Sequence, residues 1–287
     1  MTTTPMASAA TSAAPAAGRA APWTRRPVTR AGGLRWGRRL LPLLVPGLLL
    51  LSWYVVTHRG VVDEVYLPTP DAILQRLVED RDQLWTGLQA SLAMIFGGFL
   101  LGGSLGVLLG LLLGYSRLAR ELVEFTVDLA RPVPLLALIP LFILWFGIGT
   151  APQVAVVAVG VFLITSLTTV EAVRNVPRIY LRAAAVSGAT RAQAYRTVVI
   201  PAILPHTLGG VRLAVASAWG LDVAAELTGS QTGLGYLMTV RQQYLDTAGV
   251  LSIVLIFCVL AIVADRLLQY LNRRAARWNA ATARQSS

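Results

Sequence analysis

Few residue types in this chain could carry out covalent chemistry. Its two histidines, His58 and His206, lie far apart, and its single cysteine, Cys258, lies within an apolar run. A hydrolytic metal site needs paired ligands such as H-E-x-x-H, and a nucleophile needs a neighbouring base. The sequence offers neither arrangement, so we expect no catalytic residue, no metal site and no disulfide. An intramembrane protease is therefore disfavoured.

The basic residues exclude a second group of mechanisms. All 25 of them are arginine, and a chain without lysine forms neither a Schiff base nor the G-x-x-x-x-G-K-[ST] loop that holds ATP phosphates. An ATPase that drives transport must then be a separate chain, and no cofactor is expected in this one. The net charge of +11 could indicate nucleic acid, but the arginines gather at the ends of apolar segments. We therefore expect no nucleic-acid partner.

The remaining candidates for a functional site lie inside apolar segments. Asp222 and Glu226 are one helical turn apart, and carboxylates at membrane depth usually face a partner or water. They could line a translocation path or lie solvated at the outer mouth, and we favour the second interpretation slightly. Trp145, near Phe142 and Phe146, could approach the path or belong to an interfacial aromatic belt.

These residues belong to a chain whose composition suits a lipid environment. Hydrophobic residues make up 55% of its 287 positions and charged residues 14%, which indicates a membrane protein with several spans. We predict six spans, at about residues 40–57, 84–113, 135–148, 153–170, 203–225 and 247–268. All arginines except Arg59, Arg76, Arg81 and Arg241 then fall on one side. The positive-inside rule makes that side the cytoplasm, so both termini are predicted to be cytoplasmic.

The second predicted span carries a packing signal. Glycine recurs at every fourth position, at Gly98, Gly102, Gly106, Gly110 and Gly114. Glycines at this spacing form a groove that lets another helix approach closely, so this span should be central to the bundle. A general enrichment of glycine in membrane helices explains their number but not their period.

Two connections on the outer side are predicted to be structured. Residues 66–80 combine a proline turn with an amphipathic pattern, and Asp71 lies near the start of the pattern. This favours a helix that lies on the outer surface. The glycine-rich residues 229–246 suit a tight turn or a re-entrant segment against the bundle.

Residues 171–205, between the fourth and fifth spans, are too polar to cross a bilayer. The predicted elements are an amphipathic helix over 177–187, a break at Gly188, and a second helix from Ala192 until Pro201 and Pro205 interrupt it. Arginine, alanine and aliphatic side chains cannot catalyse a reaction by themselves. They can fill a groove on another protein.

The small residues and the proline of this segment have a distinctive spacing, Ala183-Ala184-x3-Gly188-x9-Val198-x-Ile200-Pro201. The spacing resembles the EAA loop (E-A-A-x3-G-x9-I-x-L-P) of ABC importer permeases, the loop that docks onto the ATPase subunit. Arg182 stands where the family usually has glutamate, so a salt bridge made by that glutamate is not expected here. Val198 and Ile200 are conservative replacements.

Two further stretches, residues 131–149 and 211–238, resemble permeases of the sulfonate, taurine and nitrate importer group. The resemblance covers about residues 40–275 and implies an all-α, type I ABC importer permease bundle of the MetI-like kind, with about six transmembrane helices. We expect a permease domain over 34–275 that contains a cytoplasmic coupling loop at 171–201. Residues 1–33 should be a disordered cytoplasmic tail, and residues 276–287 a second cytoplasmic tail.

The resemblance also implies partners and a solute. The partners are two copies of an ATPase subunit, an extracytoplasmic solute-binding protein and a second copy of the permease, as a homodimer in the cytoplasmic membrane. The solute is a small anion such as an alkanesulfonate, taurine or nitrate. The alternatives are an ABC permease for a vitamin precursor or another small organic solute, and an ion-coupled secondary transporter.

Overall fold

The computed structural model describes residues 35–130 and 132–275. The two predicted tails, 1–33 and 276–287, lie outside the described residues. By internal contacts the chain divides into residues 1–50 and residues 51–287. The described part of the first unit is the beginning of one helix, and the second unit holds the packed bundle.

The described residues are helical, without a strand, as the sequence predicts. The helices are α1 (Arg35–His58), α2 (Pro70–Glu79), α3 (Arg81–Tyr115), α4 (Arg117–Ala130), α5 (Ile139–Phe146), α6 (Thr150–Arg174), α7 (Arg178–Val186), α8 (Arg191–Ala194), α9 (Ile200–Gly229), α10 (Leu234–Gln243) and α11 (Thr247–Ala275). A 3-10 turn, Leu135–Leu138, precedes α5, and a π-helical segment, Tyr195–Val199, joins α8 to α9.

Four described helical runs are long and apolar enough to cross a membrane, namely Arg81–Tyr115, Thr150–Arg174, Arg191–Gly229 and Thr247–Asn272. They correspond to the second, fourth, fifth and sixth predicted spans. The first and third predicted spans correspond to shorter apolar helices, Leu44–His58 and Leu135–Phe146. A total of six spans, with both termini in the cytoplasm, therefore stays a prediction.

Helix α6 forms the centre of the bundle, between α3 and α9. It runs alongside α3 in the same direction, so that Gly98 lies against Val157 and Gly110 lies against Thr169. A Cβ atom on Gly98 would come within 2.7 Å of the Val157 side chain. Because the glycines lack that atom, the two backbones approach closely over five turns of α3.

A neighbouring side of α6 packs against small residues of α9. Ala214 and Ala218 are fully buried and form an apolar cluster with Val157, Val161 and Ile95. Small side chains on α9 therefore have the same effect as the glycines on α3, since they bring a long helix close to α6.

The two outer connections are helical. Helix α2 starts at the predicted proline turn, and the Thr69 hydroxyl accepts a hydrogen bond from the Ala72 N–H, at 3.2 Å. Helix α10 folds back against the bundle, where Leu234 is buried in one cluster with Leu84 and Ile253. The glycine-rich segment is thus a packed re-entrant helix.

One sequence prediction about the polar segment is wrong. Pro201 and Pro205 do not end the second helix, since Arg191–Gly229 is a continuous helical run. Pro201 lies in the first turn of α9, directly after the π-helical segment, where its missing N–H costs little. Pro205 lies inside α9.

Candidate functional site

The most distinctive local structure is a helical hairpin over residues 178–194, which we call the knuckle. Its first helix, α7, ends at a Schellman motif: the N–H groups of Gly188 and Ala189 donate to the carbonyls of Ala185 and Ala184, both at 3.0 Å. Gly188 has φ of +78°, in the left-handed region that favours glycine. The helix break predicted at Gly188 is therefore a defined turn.

The second helix of the knuckle starts at a capping box. The Thr190 N–H donates to Gln193 Oε1 at 2.8 Å, and the Gln193 N–H donates to Thr190 Oγ1 at 3.3 Å. These contacts fix the direction in which the chain leaves the turn. The knuckle is consequently a preformed shape rather than a segment that needs a partner to fold.

The inner side of the knuckle is anchored to the ends of α3 and α6. The Tyr195 hydroxyl donates to the Leu111 carbonyl at 2.6 Å, and Arg191 donates to the Tyr115 carbonyl. The Arg191 guanidinium also lies over the Tyr115 ring, 4.9 Å from its centre. Val199 is buried beside Ala172. These contacts tie the knuckle and the π-helical segment that follows it to α3 and α6.

The far side of α7 has no such contacts. Val186 is 90% exposed and Ile179 is 65% exposed, with Arg182 exposed between them. A partner that covered these apolar side chains would remove their surface from water, and this burial would stabilise the complex. The knuckle can therefore act as a handle for another protein.

The residues of the predicted coupling loop fall into four places. Ala183, Ala184, Val198 and Pro201 line one groove of about 760 Å³ between α7 and the start of α9. Gly188 forms the turn, and Arg182 lies on the exposed side of α7. Ile200 is 39% exposed on the first turn of α9.

Glu226 lies at the other end of α9, in an enclosed polar junction. One carboxylate oxygen accepts from the Ser91 hydroxyl at 2.6 Å, and the other accepts from the Gly235 N–H at 2.5 Å. Ser91 in turn accepts from the Leu234 N–H at 2.9 Å. The carboxylate therefore caps the amino-terminal end of α10, where the helix dipole favours negative charge.

Glycine is required where the chain passes this carboxylate. Gly233 has φ of +104°, and a Cβ atom on it would lie 2.6 Å from Glu226 Oε2. A Cβ atom on Gly235 would lie 2.7 Å from Glu226 Cβ. The glycines predicted from the sequence to form a tight turn thus leave room for a buried acid.

The interpretation of Asp222 and Glu226 as solvated residues at the outer mouth is wrong. Asp222 is 0% exposed and Glu226 is 1% exposed, and residues of α3 and α10 contact Glu226. Glu226 has protein partners, whereas neither carboxyl oxygen of Asp222 has a hydrogen-bond partner within the described part of the chain. Trp145 is different: it is 64% exposed at the end of α5 and packs edge-on against Phe142.

A family assignment follows from comparison with known proteins. Residues 102–277 match the family described as the inner membrane component of binding-protein-dependent transport systems. The chain belongs to this permease family. It is a membrane-spanning subunit of an ABC importer in the cytoplasmic membrane, a transport component that works with a separate ATPase and a solute-binding protein.

Curated relatives cover most of the permease. It is 39% identical over 241 residues to a protein of Brucella melitensis named only as an ABC transporter permease, covering 81% of this chain and 97% of the relative. It is 34% identical to a protein of Bacillus subtilis named as the aliphatic sulfonates transport permease SsuC, covering 82% and 86%. It is 30% identical to the taurine transport permease TauC of Escherichia coli, covering 80% and 86%.

A solved structure shows the same fold. The inward-facing methionine ABC transporter MetNI matches with a TM-score of 0.59 at 21% identity, over 67% of the permease and 96% of the matched chain. This agreement supports the type I, MetI-like bundle predicted from the sequence.

Sequence analysis missed most of the contacts that hold α10. Arg241 lies 2.8 Å from Asp80 and 3.2 Å from Asp246, and Asp246 lies 3.6 Å from Arg76. These ion pairs join α10 to the start of α3, to α2 and to α11. Arg241 and Asp246 are five residues apart, but Asp80 and Arg76 are distant from them in sequence and follow no local period, so the sequence carries no signal for these two pairings.

Proposed function

We propose that this permease imports a small organic sulfonate, of the alkanesulfonate or taurine type. Its similarity to SsuC at 34% identity and to TauC at 30%, each over four fifths of the chain, carries this proposal. The sequence resemblance over residues 131–149 and 211–238 supports the same solute group. A sulfonate group is negatively charged throughout the physiological pH range, so the solute brings a charged group across lipid.

In this proposal the knuckle docks onto the ATPase. Val186 and Ile179 provide exposed apolar contacts on a shape that is already ordered, which reduces the entropy lost on binding. Arg182 replaces the glutamate usual in the family, and the ATPase surface facing it should carry a neutral group. Two ATPase subunits would grip two knuckles, one from each permease copy.

Movement would pass from the knuckle to the outer end through one helix. The run Arg191–Gly229 begins in the knuckle and ends three residues after Glu226, which caps α10. Closure of the ATPase dimer would push on the knuckle, and the α3–α6–α9 group would rock as a rigid body. The glycine contacts of α3 with α6 would keep these helices together during the movement.

The second permease copy is proposed to be identical and to meet this one near α5. Helix α5 has only eight residues, and irregular backbone at membrane depth is tolerated only where it faces protein or a cavity. Trp145 and Leu144, exposed by 64% and 79%, would lie at that contact or along the path. A cysteine at Trp145, in a Cys258→Ser background, should give a cross-linked dimer on oxidation in membranes.

The test of the transport proposal is reconstitution. The permease, its ATPase and its solute-binding protein are placed in proteoliposomes, and uptake of labelled taurine, an alkanesulfonate, nitrate and a neutral vitamin precursor is compared with and without ATP. We expect vanadate-sensitive uptake of at least one sulfonate. Uptake of only nitrate or the vitamin precursor would contradict the solute class, and uptake that needs an ion gradient instead of ATP would contradict ATP-driven import.

A further inference from the structure

A second groove lies beside α7, on the opposite side from the groove that holds Ala183 and Ala184. It has a volume of about 620 Å³ and lies between α7, the carboxyl ends of α3 and α6, and the start of α4. Four arginines line it, namely Arg120, Arg174, Arg178 and Arg191. Its described lining includes no Asp or Glu, and Arg120, Arg178 and Arg191 make the groove attractive to an anion.

The arginines also have a fixed geometry. Arg120 donates from Nε to the Leu113 carbonyl at 3.1 Å and from Nη2 to the Gly114 carbonyl at 3.3 Å, while Arg191 donates to the Tyr115 carbonyl. These carbonyls are among the last of α3, which lack partners within the helix. A guanidinium has five N–H donors. Arg120 and Arg191 therefore each use part of their N–H groups to bind these carbonyls, and their other N–H groups can donate to a ligand.

The position of the groove indicates which anion it meets. Helices α3 and α6 are long apolar helices, and Tyr115 and Arg174 are their last residues. Membrane helices end near the level of the lipid headgroups. The groove therefore opens where lipid phosphates lie.

Helix α4, which begins at the groove, supports the same position. Four of its apolar side chains are 59–70% exposed, at Leu118, Leu122, Phe125 and Leu129. Arg117 precedes them in the sequence, and Arg120 and Glu121 lie between Leu118 and Leu122. An amphipathic helix with a bare apolar side is typical of a helix lying in the membrane interface.

We propose that this groove binds the phosphate headgroup of an anionic phospholipid, such as phosphatidylglycerol or cardiolipin. The guanidinium groups would contact the phosphate oxygens, as basic pockets between membrane helices do. Acyl chains would lie along the apolar side of α4. Arg178 and Arg191 belong to the knuckle, whereas Arg120 lies in α4 and Arg174 lies in α6. One bound lipid would therefore tie the knuckle to the membrane surface. This site is distinct from the exposed side of α7 proposed for the ATPase.

The test is native mass spectrometry of the full-length permease in detergent, titrated with phosphatidylglycerol or phosphatidylcholine. Arg178→Gln removes a groove arginine, and Arg196→Gln is the matched control, because Arg196 is an exposed arginine outside the groove lining. We expect Arg178→Gln to weaken phosphatidylglycerol binding about fivefold, from the loss of one arginine contact. Arg196→Gln and phosphatidylcholine binding should show no such change. Arg178→Lys, which keeps the charge, should recover part of the affinity.

Three results would overturn the proposal. Equal phosphatidylglycerol binding by wild type and Arg178→Gln would show that the groove does not hold the lipid. Release of the lipid by millimolar inorganic phosphate would identify a free-anion site instead. A loss of ATPase capture by Arg178→Gln in lipid-free detergent, with lipid binding unchanged, would assign the groove to the ATPase. Because Arg178 is exposed and lies in no apolar core cluster, the variant should fold, and its melting temperature checks this.

Discussion

The two ends of the long helical run Arg191–Gly229 differ in whether the side chains around them find partners within the chain. At the outer end, the buried Glu226 receives hydrogen bonds from Ser91 and Gly235, and Arg241 nearby pairs with Asp80 and Asp246. At the knuckle, the end of α7 and the start of α8 are capped while Val186 is 90% exposed. The outer end is therefore braced within the chain, and the knuckle is shaped for a surface that the chain does not supply.

This difference separates two kinds of substitution. Changes in the packed helices α3, α6 and α9, or at the outer end, should reduce the stability of the isolated permease. Changes on the exposed side of the knuckle should leave that stability intact and reduce only the binding of a partner.

Gly106→Ala should cause the largest loss of stability. The added Cβ atom would lie 2.6 Å from the Phe162 carbonyl and would also meet Thr165, so α3 and α6 must separate. We expect a cost of about 2 kcal/mol or more, seen as a lower melting temperature in detergent. Gly103→Ala is the control on the same helix, because its Cβ atom would lie 3.6 Å from Val161, an ordinary contact. Equal melting temperatures for the two variants would contradict close packing at Gly106.

Glu226→Gln should loosen the outer end by about 1–2 kcal/mol. A glutamine has one carbonyl oxygen, so it cannot accept from both Ser91 and Gly235 in the way that the two carboxylate oxygens do. Hydrogen exchange should become faster at the first turn of α10, at Gly235 and Tyr236, and stay unchanged in the knuckle. Unchanged exchange at α10 would show that the carboxylate does not cap this helix.

Gly188→Ala should weaken ATPase capture and leave the bundle folded. Its φ of +78° costs an alanine about 1 kcal/mol, although no atom lies within 4 Å of the new Cβ. Gly60→Ala is the matched control, since Gly60 has φ of +64° and equally open space but lies outside the knuckle. Capture of purified ATPase should fall several-fold for Gly188→Ala alone. An equal decrease for Gly60→Ala would point to a general loss of folding.

Arg182→Glu should have the smallest effect. The side chain is exposed on α7, where substitutions usually change stability by less than about 0.5 kcal/mol. The substitution restores the residue that the family usually has, so we expect capture and uptake close to wild type. Complete loss of uptake would show that the ATPase of this system carries an acidic group opposite Arg182.

Local and periodic features could be predicted from the sequence. The four-residue glycine period identified the side of α3 that meets another helix, and the glycine break at Gly188 gave the turn of the knuckle. Both follow from interactions between residues close in the chain, which sequence patterns record.

Features that depend on distant contacts were mispredicted or missed. Ser91 and Glu226 are 135 positions apart, and the burial of Glu226 depends on α10 folding back over it. Pro201 and Pro205 were expected to end a helix, but the π-helical segment before α9 shifts the hydrogen-bond pattern and accommodates Pro201. Single-residue rules cannot foresee such compensation.

We propose that the knuckle is the docking surface for a separate ATPase, and the substitution Val186→Asp is the sharpest test of this role. The permease variant is purified, its melting temperature is measured, and its affinity for the ATPase is compared with wild type and with Val61→Asp. Val61 is a valine of similar exposure, 70%, outside the knuckle. We predict that Val186→Asp melts like wild type and binds the ATPase at least tenfold more weakly, while Val61→Asp binds normally. Wild-type affinity for Val186→Asp would contradict the account.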